Sequence, residues 1–225
     1  MKGLLIEITF SEALFKTHYT KGFRQTYPIP LPTTVAGIFG ALLGIRREEI
    51  KEKFKNCLFG AKLLAYKGIY PEITTYIQYK GRPIRGVATS IIINNPTYLI
   101  ALATIDDIIE TFYNKLNSGI KYFPYGGQND FFTEEIKLLK GIRNVNEKSV
   151  WIENYAPQDF VENIELEKDT ELQILPVRHK FSSNPNFYFV FKGKLKLKEA
   201  IPSIENIGIY PLEKFYYLPI KKGEE

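Results

Sequence analysis

Three kinds of scarcity set the first limits on this chain. Among 225 residues there is one cysteine, Cys57, which excludes an intramolecular disulfide. The two histidines, His18 and His179, are too few to complete a structural zinc set with it, so no metal and no other cofactor is expected. No apolar run approaches the roughly 20 residues that a membrane helix needs. The opening MKGLLIEITF also lacks the small-residue cleavage site of a secretory signal. These absences lead us to expect a soluble cytoplasmic protein without membrane contact. A single methionine beside abundant Ile, Lys and Glu fits the composition of a thermophile's protein.

What is present supports a sizeable core, since 44% of the chain is hydrophobic and the length suits one large domain or two small ones. The formal charge of +5 favours a polyanionic partner without requiring one. Aromatic residues make up 14% of the chain, and cations with rings are the chemistry that holds single-stranded nucleic acid.

The chain is organised around FRQTYPIPLPTTVAGIFGALLG, residues 23–44. Pro28, Pro30 and Pro32 fix their own φ and hold the residues before them extended, so a helix is expected only after Pro32, with Thr33 or Thr34 as its cap. Ala36, Gly40 and Gly44 then recur every fourth position and let another backbone approach. Gly37, Gly40 and Gly44 lower helix propensity, which suggests a reason for that proximity: a strand, a partner or a phosphate chain. An apolar helix of this kind is ordinarily a buried core element. Its N-terminus, near Lys21 and Arg24, is the predicted anion site.

Around this stretch, Gly3–Phe10 reads as a central strand. Residues 11–27 form a long loop carrying Lys16, His18, Lys21 and Arg24 among Phe15, Tyr19, Phe23 and Tyr27. A charged helix is expected over Arg46–Asn56 with Ile50 and Phe54 inward, then a strand over Leu58–Lys67. Ile73–Tyr79 and Val87–Ile93 form the arms of a hairpin whose tip KGRPIRG carries Lys80, Arg82 and Arg85. Such cations also serve simply to discourage edge pairing. A strand over Tyr98–Thr104 leads to a helix over Ile105–Asn117 with Ile105, Ile108, Ile109, Phe112 and Leu116 on one side. Asp106 and Asp107 fall in its first turn, where the macrodipole favours them.

KYFPYGGQNDFF, residues 121–132, then supplies a double-glycine loop in which Tyr125, Gly126, Gly127, Gln128 and Asn129 suit close approach to a ligand. The expected class is α+β. A ferredoxin-like split βαβ domain covers 1–141 with a hairpin inserted at about 73–93, and a smaller β-rich lobe covers 142–225. In RNA-recognition modules of this kind the sheet faces the nucleic acid. Lys194, Lys196 and Lys198 line one side of a late strand, either along a phosphate backbone or simply toward solvent. The glycine helix and the row Phe187, Phe189 and Phe191 are candidate surfaces for a neighbouring subunit.

YPIPLPTTVAGIFGALLG at 27–44 and FPYGGQNDFF at 123–132 resemble the signature of the CRISPR-associated RAMP proteins called Cas-five. The resemblance implies an RRM-like RAMP subunit of a type I interference complex, Cascade. Such a subunit caps the five-prime handle of crRNA, contacts the backbone RAMP subunit and the large subunit, and lies close to target DNA near the seed. It implies a thumb at Ile73–Ile93 with Arg82 and Arg85 near the tip, and a handle pocket drawing on Lys21, Arg24, Thr33, Thr34 and the loop at 125–129.

One branch of that family cuts precursor RNA, so a metal-independent endoribonuclease is the alternative to a non-catalytic binder. Such cleavage needs a base, a cation and an acid in convergence, which His18, or His179 with Lys180, would have to supply. A lone histidine in a basic loop is more often a packing or RNA-contact residue, so the binder is the expected reading.

Overall fold

The computed structural model describes residues 1–20, 23–105 and 107–215. Strand β1 (Lys2–Phe10) buries Leu4, Ile6, Ile8 and Phe10 on one face and Leu5 on the other, which requires neighbours on both sides. Helix α1 (Pro32–Leu43) begins at Pro32 itself, where a missing N–H costs no helical bond. The expected threonine cap is not formed. Leu31 is the extended cap residue, and its carbonyl takes the N–H groups of Thr34 and Val35 at 2.8 and 3.0 Å, so both threonines lie inside the first turn. Gly44 ends the helix at φ +72, and the Ile45 N–H closes onto the Gly40 carbonyl at 2.8 Å.

The expected second helix shortens to α2 (Ile50–Lys53) between turns, with Ile50 and Phe54 buried as their spacing required. Next come strand β2 (Cys57–Ala65), the hairpin arms β3 (Gly68–Lys80) and β4 (Arg82–Asn94), and strand β5 (Thr97–Thr104). Helix α3 (Ile108–Ser118) starts three residues later than expected. Ile105 is 71% exposed instead of joining the apolar side, Asp107 is the cap residue without a side-chain bond, and Asp106 lies outside the described residues. Strand β6 (Thr133–Leu138) follows.

The strands of this half stand in the order β6-β1-β5-β2, antiparallel throughout. Val35 and Phe39 of α1 and Ile109, Phe112 and Leu116 of α3 join the core on one face, with Leu4, Ile6, Ile8 and Leu102.

The other face is not open. Leu5, Leu99, Ala101 and Ala103 lie in a second apolar cluster with Ile204, Ile207 and Ile209 from the far end of the chain. Gly60 and Gly3 make this approach possible: a Cβ at Gly60 would strike the Gly208 carbonyl, and one at Gly3 would strike Ile204. The expectation of a sheet face free for nucleic acid is corrected by this cover.

The remaining strands of three residues or more are β7 (Asn146–Ile152), β8 (Tyr155–Pro157), β9 (Val161–Pro176) and β10 (Asn186–Ile204), with β10 pairing all three others. Phe187 and Phe189 are buried against Tyr155, and Phe189 also stacks on Tyr27 at 5.7 Å. The aromatic row therefore belongs to the core and does not form a surface for a neighbour. The lysine row is answered by the chain itself. Lys196 pairs with Glu162 at 2.9 Å, Lys198 donates to the Asp159 carbonyl at 2.8 Å, and Lys194 stands opposite Glu165.

Overall the described residues form a mostly β architecture of the α+β kind, with three α-helices among them. None of these helices is long and apolar enough to cross a membrane.

Candidate nucleic-acid interface

Residues 11–27 have no long period because they are built from two-residue pairings. Phe15–Lys16 pairs with Thr26–Tyr27, Glu12–Ala13 extends β4, and Phe23–Arg24 lies parallel to Thr89–Ser90. Lys16 is exposed, and partly buried Arg24 sits opposite Ser90 at the hairpin base. Lys21 lies outside the described residues. His18 is exposed, but its ring is fixed. The Tyr27 hydroxyl donates to the Pro176 carbonyl at 2.9 Å and so accepts the Nδ1–H of His18 at 2.9 Å, leaving Nε2 with its lone pair. Burial, and then the charge of Arg178, hold the His18 imidazole below its ordinary pKa, while burial pushes the Tyr27 phenol well up.

His179 sits differently. Its Nδ1 accepts the Phe181 N–H at 3.1 Å, its Nε2 donates to the Asn184 carbonyl at 2.9 Å, and its ring packs on Phe187 at 4.8 Å. Both nitrogens are occupied within the fold. Lys180, next in sequence, is exposed and bonds the Lys214 carbonyl through its backbone.

The double glycine is pressed onto the chain's own backbone. A Cβ at Gly126 would strike the Glu12 carbonyl and one at Gly127 (φ +98) the Leu14 carbonyl. Leu14 donates to the Gly126 carbonyl at 2.7 Å, and Gly126 donates to Phe131 at 2.8 Å. The close approach predicted for these glycines is thus made to Glu12–Leu14. The clamp leaves Tyr125 and Asn129 exposed and Gln128 half-buried. Tyr122, Phe123 and Phe132 are also exposed, and Tyr125 meets Phe132 edge-on at 6.2 Å.

This loop touches α1 at the wrong end for a shared anion pocket. Lys121 and Tyr122 donate to Leu42 and Ala41 in the last turn, at 3.0 and 3.2 Å, whereas Thr33 and Thr34 lie in the first. Pro32 has no N–H, and those of Thr34 and Val35 are taken by Leu31, so Thr33 retains the free amide of this turn. On the body of the helix, Gly40 faces Ile50, and a Cβ at Gly37 would meet nothing within 4 Å.

The hairpin is longer and tighter than expected. Its register runs without a slip from Gly68↔Asn94 to Lys80↔Arg82, because Gly81 reverses the chain alone at φ +75. Gly86, expected in the turn, lies within β4 under the Tyr76 ring. Directly opposed residues share a face. Arg85 therefore lies with Ile73, Thr75, Ile77, Tyr79 and Val87, whereas Arg82 lies on the other face with Tyr76, Gln78 and Ile84. Both arginines are exposed, but they point to opposite sides of the ribbon. The side chain of Lys80 lies outside the description.

Sequence reasoning sees Arg178 only beside His179 and Lys180, because nothing in PVRHKFSSN links it to His18 except the distant Tyr27. It passed over Phe123 and Phe132 as exposed rings. The proline and glycines beside them gave the available signal, since a constrained loop exposes what it cannot bury. Among the described residues no cluster of three metal-ligating side chains is present.

Residues 3–79 match the family described as CRISPR-associated protein (Cas_Cas5). No curated protein matches the chain. A solved chain described as a CRISPR RNA-guided surveillance complex is 14% identical with a TM-score of 0.52, over 89% of this chain and 91% of that one. A crystal structure of a Cas protein is 17% identical with a TM-score of 0.47, over 87% and 95%. At 14% identity the first of these likenesses concerns the fold alone. The match over residues 3–79 takes in the proline-stiffened entry and the glycine helix, and it is over this part that the chain is similar to the CRISPR-associated Cas-five family.

Proposed function

We propose that this protein is a non-catalytic, cytoplasmic RNA-binding subunit of a type I CRISPR interference complex, Cascade. In this reading it caps the five-prime handle of crRNA, contacts the backbone and large subunits, and lies near target DNA at the seed. The order β6-β1-β5-β2 with α1 and α3 on one face supports a ferredoxin-like RAMP module. The observation that carries the reading is the ribbon Gly68–Asn94, inserted between β2 and β5. Beyond Thr89 its arms are solvent-exposed apart from a few positions such as Ala88, and its tip carries Arg82 and Arg85. A two-stranded ribbon of this kind is marginally stable alone, so a working role as a thumb against guide RNA and a neighbour fits its exposure.

Cleavage of precursor RNA is the lesser reading. His179 has both nitrogens engaged, and among the described residues His18, whose Nε2 is free, has no second acid beside it: Tyr27 donates to Pro176 and Tyr19 to Gln25. The test is expression of a tagged copy with repeat RNA and the neighbouring subunits. Recovery of handle-containing RNA, released by salt and uncut in EDTA, is the expected result. Recovery of neither RNA nor subunits overturns the reading, and cutting abolished by His18→Ala replaces it with the nuclease.

A further inference from the structure

Arg178 is an exposed cation with no ion pair among the described residues. It stands two residues beyond Pro176, at the end of the chain of hydrogen bonds that runs His18 Nδ1, Tyr27 Oη, Pro176 O, each link 2.9 Å. That chain joins residues 149 positions apart and ties the N-terminal loop to the strand leading into Arg178. Tyr19 packs its ring on the imidazole at 5.4 Å and is itself held through Gln25 Oε1 at 3.1 Å. Among the described residues the groups facing His18 are Tyr19, Tyr27 and Arg178, none of them a carboxylate.

We propose that Arg178 and His18 form a subsite for an RNA phosphate where the loop at 11–27 meets the C-terminal half. The proposal rests on the RNA-binding reading above. A guanidinium without a carboxylate partner offers a planar fork of donors that matches phosphate oxygens. The imidazole of the exposed His18 is fixed through Nδ1, which leaves Nε2 free. In the empty protein burial, and then the charge of Arg178, disfavour its cation. A phosphate on Arg178 cancels that repulsion, so His18 takes up a proton and donates Nε2–H to the same anion. The exposed Tyr19 ring provides a face for the adjoining base. Terminal and internal phosphates share this chemistry.

The experiment is an NMR pH titration of the two histidines in the full chain. It is run alone, with inorganic phosphate, and with one RNA sequence carrying either a five-prime phosphate or a five-prime hydroxyl. His179, with both nitrogens bonded internally, is the control. The expected result is a rise in the His18 pKa of about half a unit or more with phosphate or RNA. That rise is absent in Arg178→Gln, whose urea midpoint matches wild type. The same variant binds RNA about 3–10-fold more weakly, and the slope of affinity against salt falls by about 0.7. Tighter binding of the phosphorylated RNA assigns a terminal phosphate to the subsite, and equal binding assigns an internal one. Wild-type RNA binding with an unmoved His18 and an unchanged Arg178→Gln overturns the subsite alone. A wild-type chain that binds no RNA overturns the underlying reading together with it.

Discussion

Three glycines with different surroundings separate conformational freedom from close packing in one measurement. Gly37 is helical and a Cβ there meets nothing within 4 Å, so Gly37→Ala gains about 0.5–1 kcal/mol of helix propensity. Gly81 lies at φ +75 in open space, and Gly81→Ala loses only the left-handed allowance of about 1–2 kcal/mol. Gly127 lies at φ +98 with the Leu14 carbonyl in the place of the new methyl. Because the obstacle is backbone, the loop must lift from Glu12–Leu14 and give up the 2.7 Å bond from Leu14 N–H to the Gly126 carbonyl. The bond adds about 0.5–1.5 kcal/mol to the conformational cost, for a total of about 1.5–3.5 kcal/mol. With a urea m-value of about 3 kcal/mol/M, the midpoints shift by about +0.2–0.3 M, −0.3–0.7 M and −0.5–1.2 M in that order. Hydrogen exchange at the Leu14 amide reads the local event and accelerates only in Gly127→Ala. Equal midpoints for Gly81→Ala and Gly127→Ala, with Leu14 still protected, would refute the clamp.

Acid should weaken the fold through its histidines. Both His18 and His179 are held below their ordinary pKa, chiefly by burial, so the unfolded chain binds more protons than the folded one between the lowered values and about 6.5. Their contribution is present above that range and is lost as pH falls through it. Urea midpoints should drop between pH 7.5 and 5.5, with a smaller drop in His18→Ala, and a flat wild-type profile contradicts the assignment. Because Arg82 and Arg85 lie on opposite faces of the ribbon, their alanine substitutions should add independently. The double variant should weaken guide loading with an unchanged circular dichroism spectrum, and normal loading removes the thumb role. Gly60→Val should cost more than about 3 kcal/mol, because the Gly208 backbone bars the side chain. Wild-type thermal stability in that variant would show that the sheet cover is not tight.

The elements that could be read from the sequence were those fixed by local rules. Pro32 set the start of α1 and the apolar, β-branched run of GLLIEITF set β1, whereas Gly44, grouped with the interior glycines, proves to be the left-handed residue that ends the helix. The hairpin was found, but Gly81 and Gly86 were read as one turn, because composition does not distinguish a reversing glycine from one lying beneath a cross-strand ring. What could not be read depends on remote partners. The double glycine signals close approach without naming its neighbour, which proved to be Glu12–Leu14. The pairing of Lys196 with Glu162, and the link from Tyr27 to Pro176 that brings Arg178 toward His18, are set by tertiary contact alone.

The cover supplied by Ile204, Ile207 and Ile209 also governs how the polypeptide matures on the ribosome. Leu99, Ala101 and Ala103 are translated about 100 residues before the segment that shields them, a delay of about 5–20 s at ordinary elongation rates. During that interval the nascent chain presents a greasy sheet surface to solvent. A stall or cleavage upstream of residue 204 therefore leaves a sticky fragment, and its handling falls to chaperones.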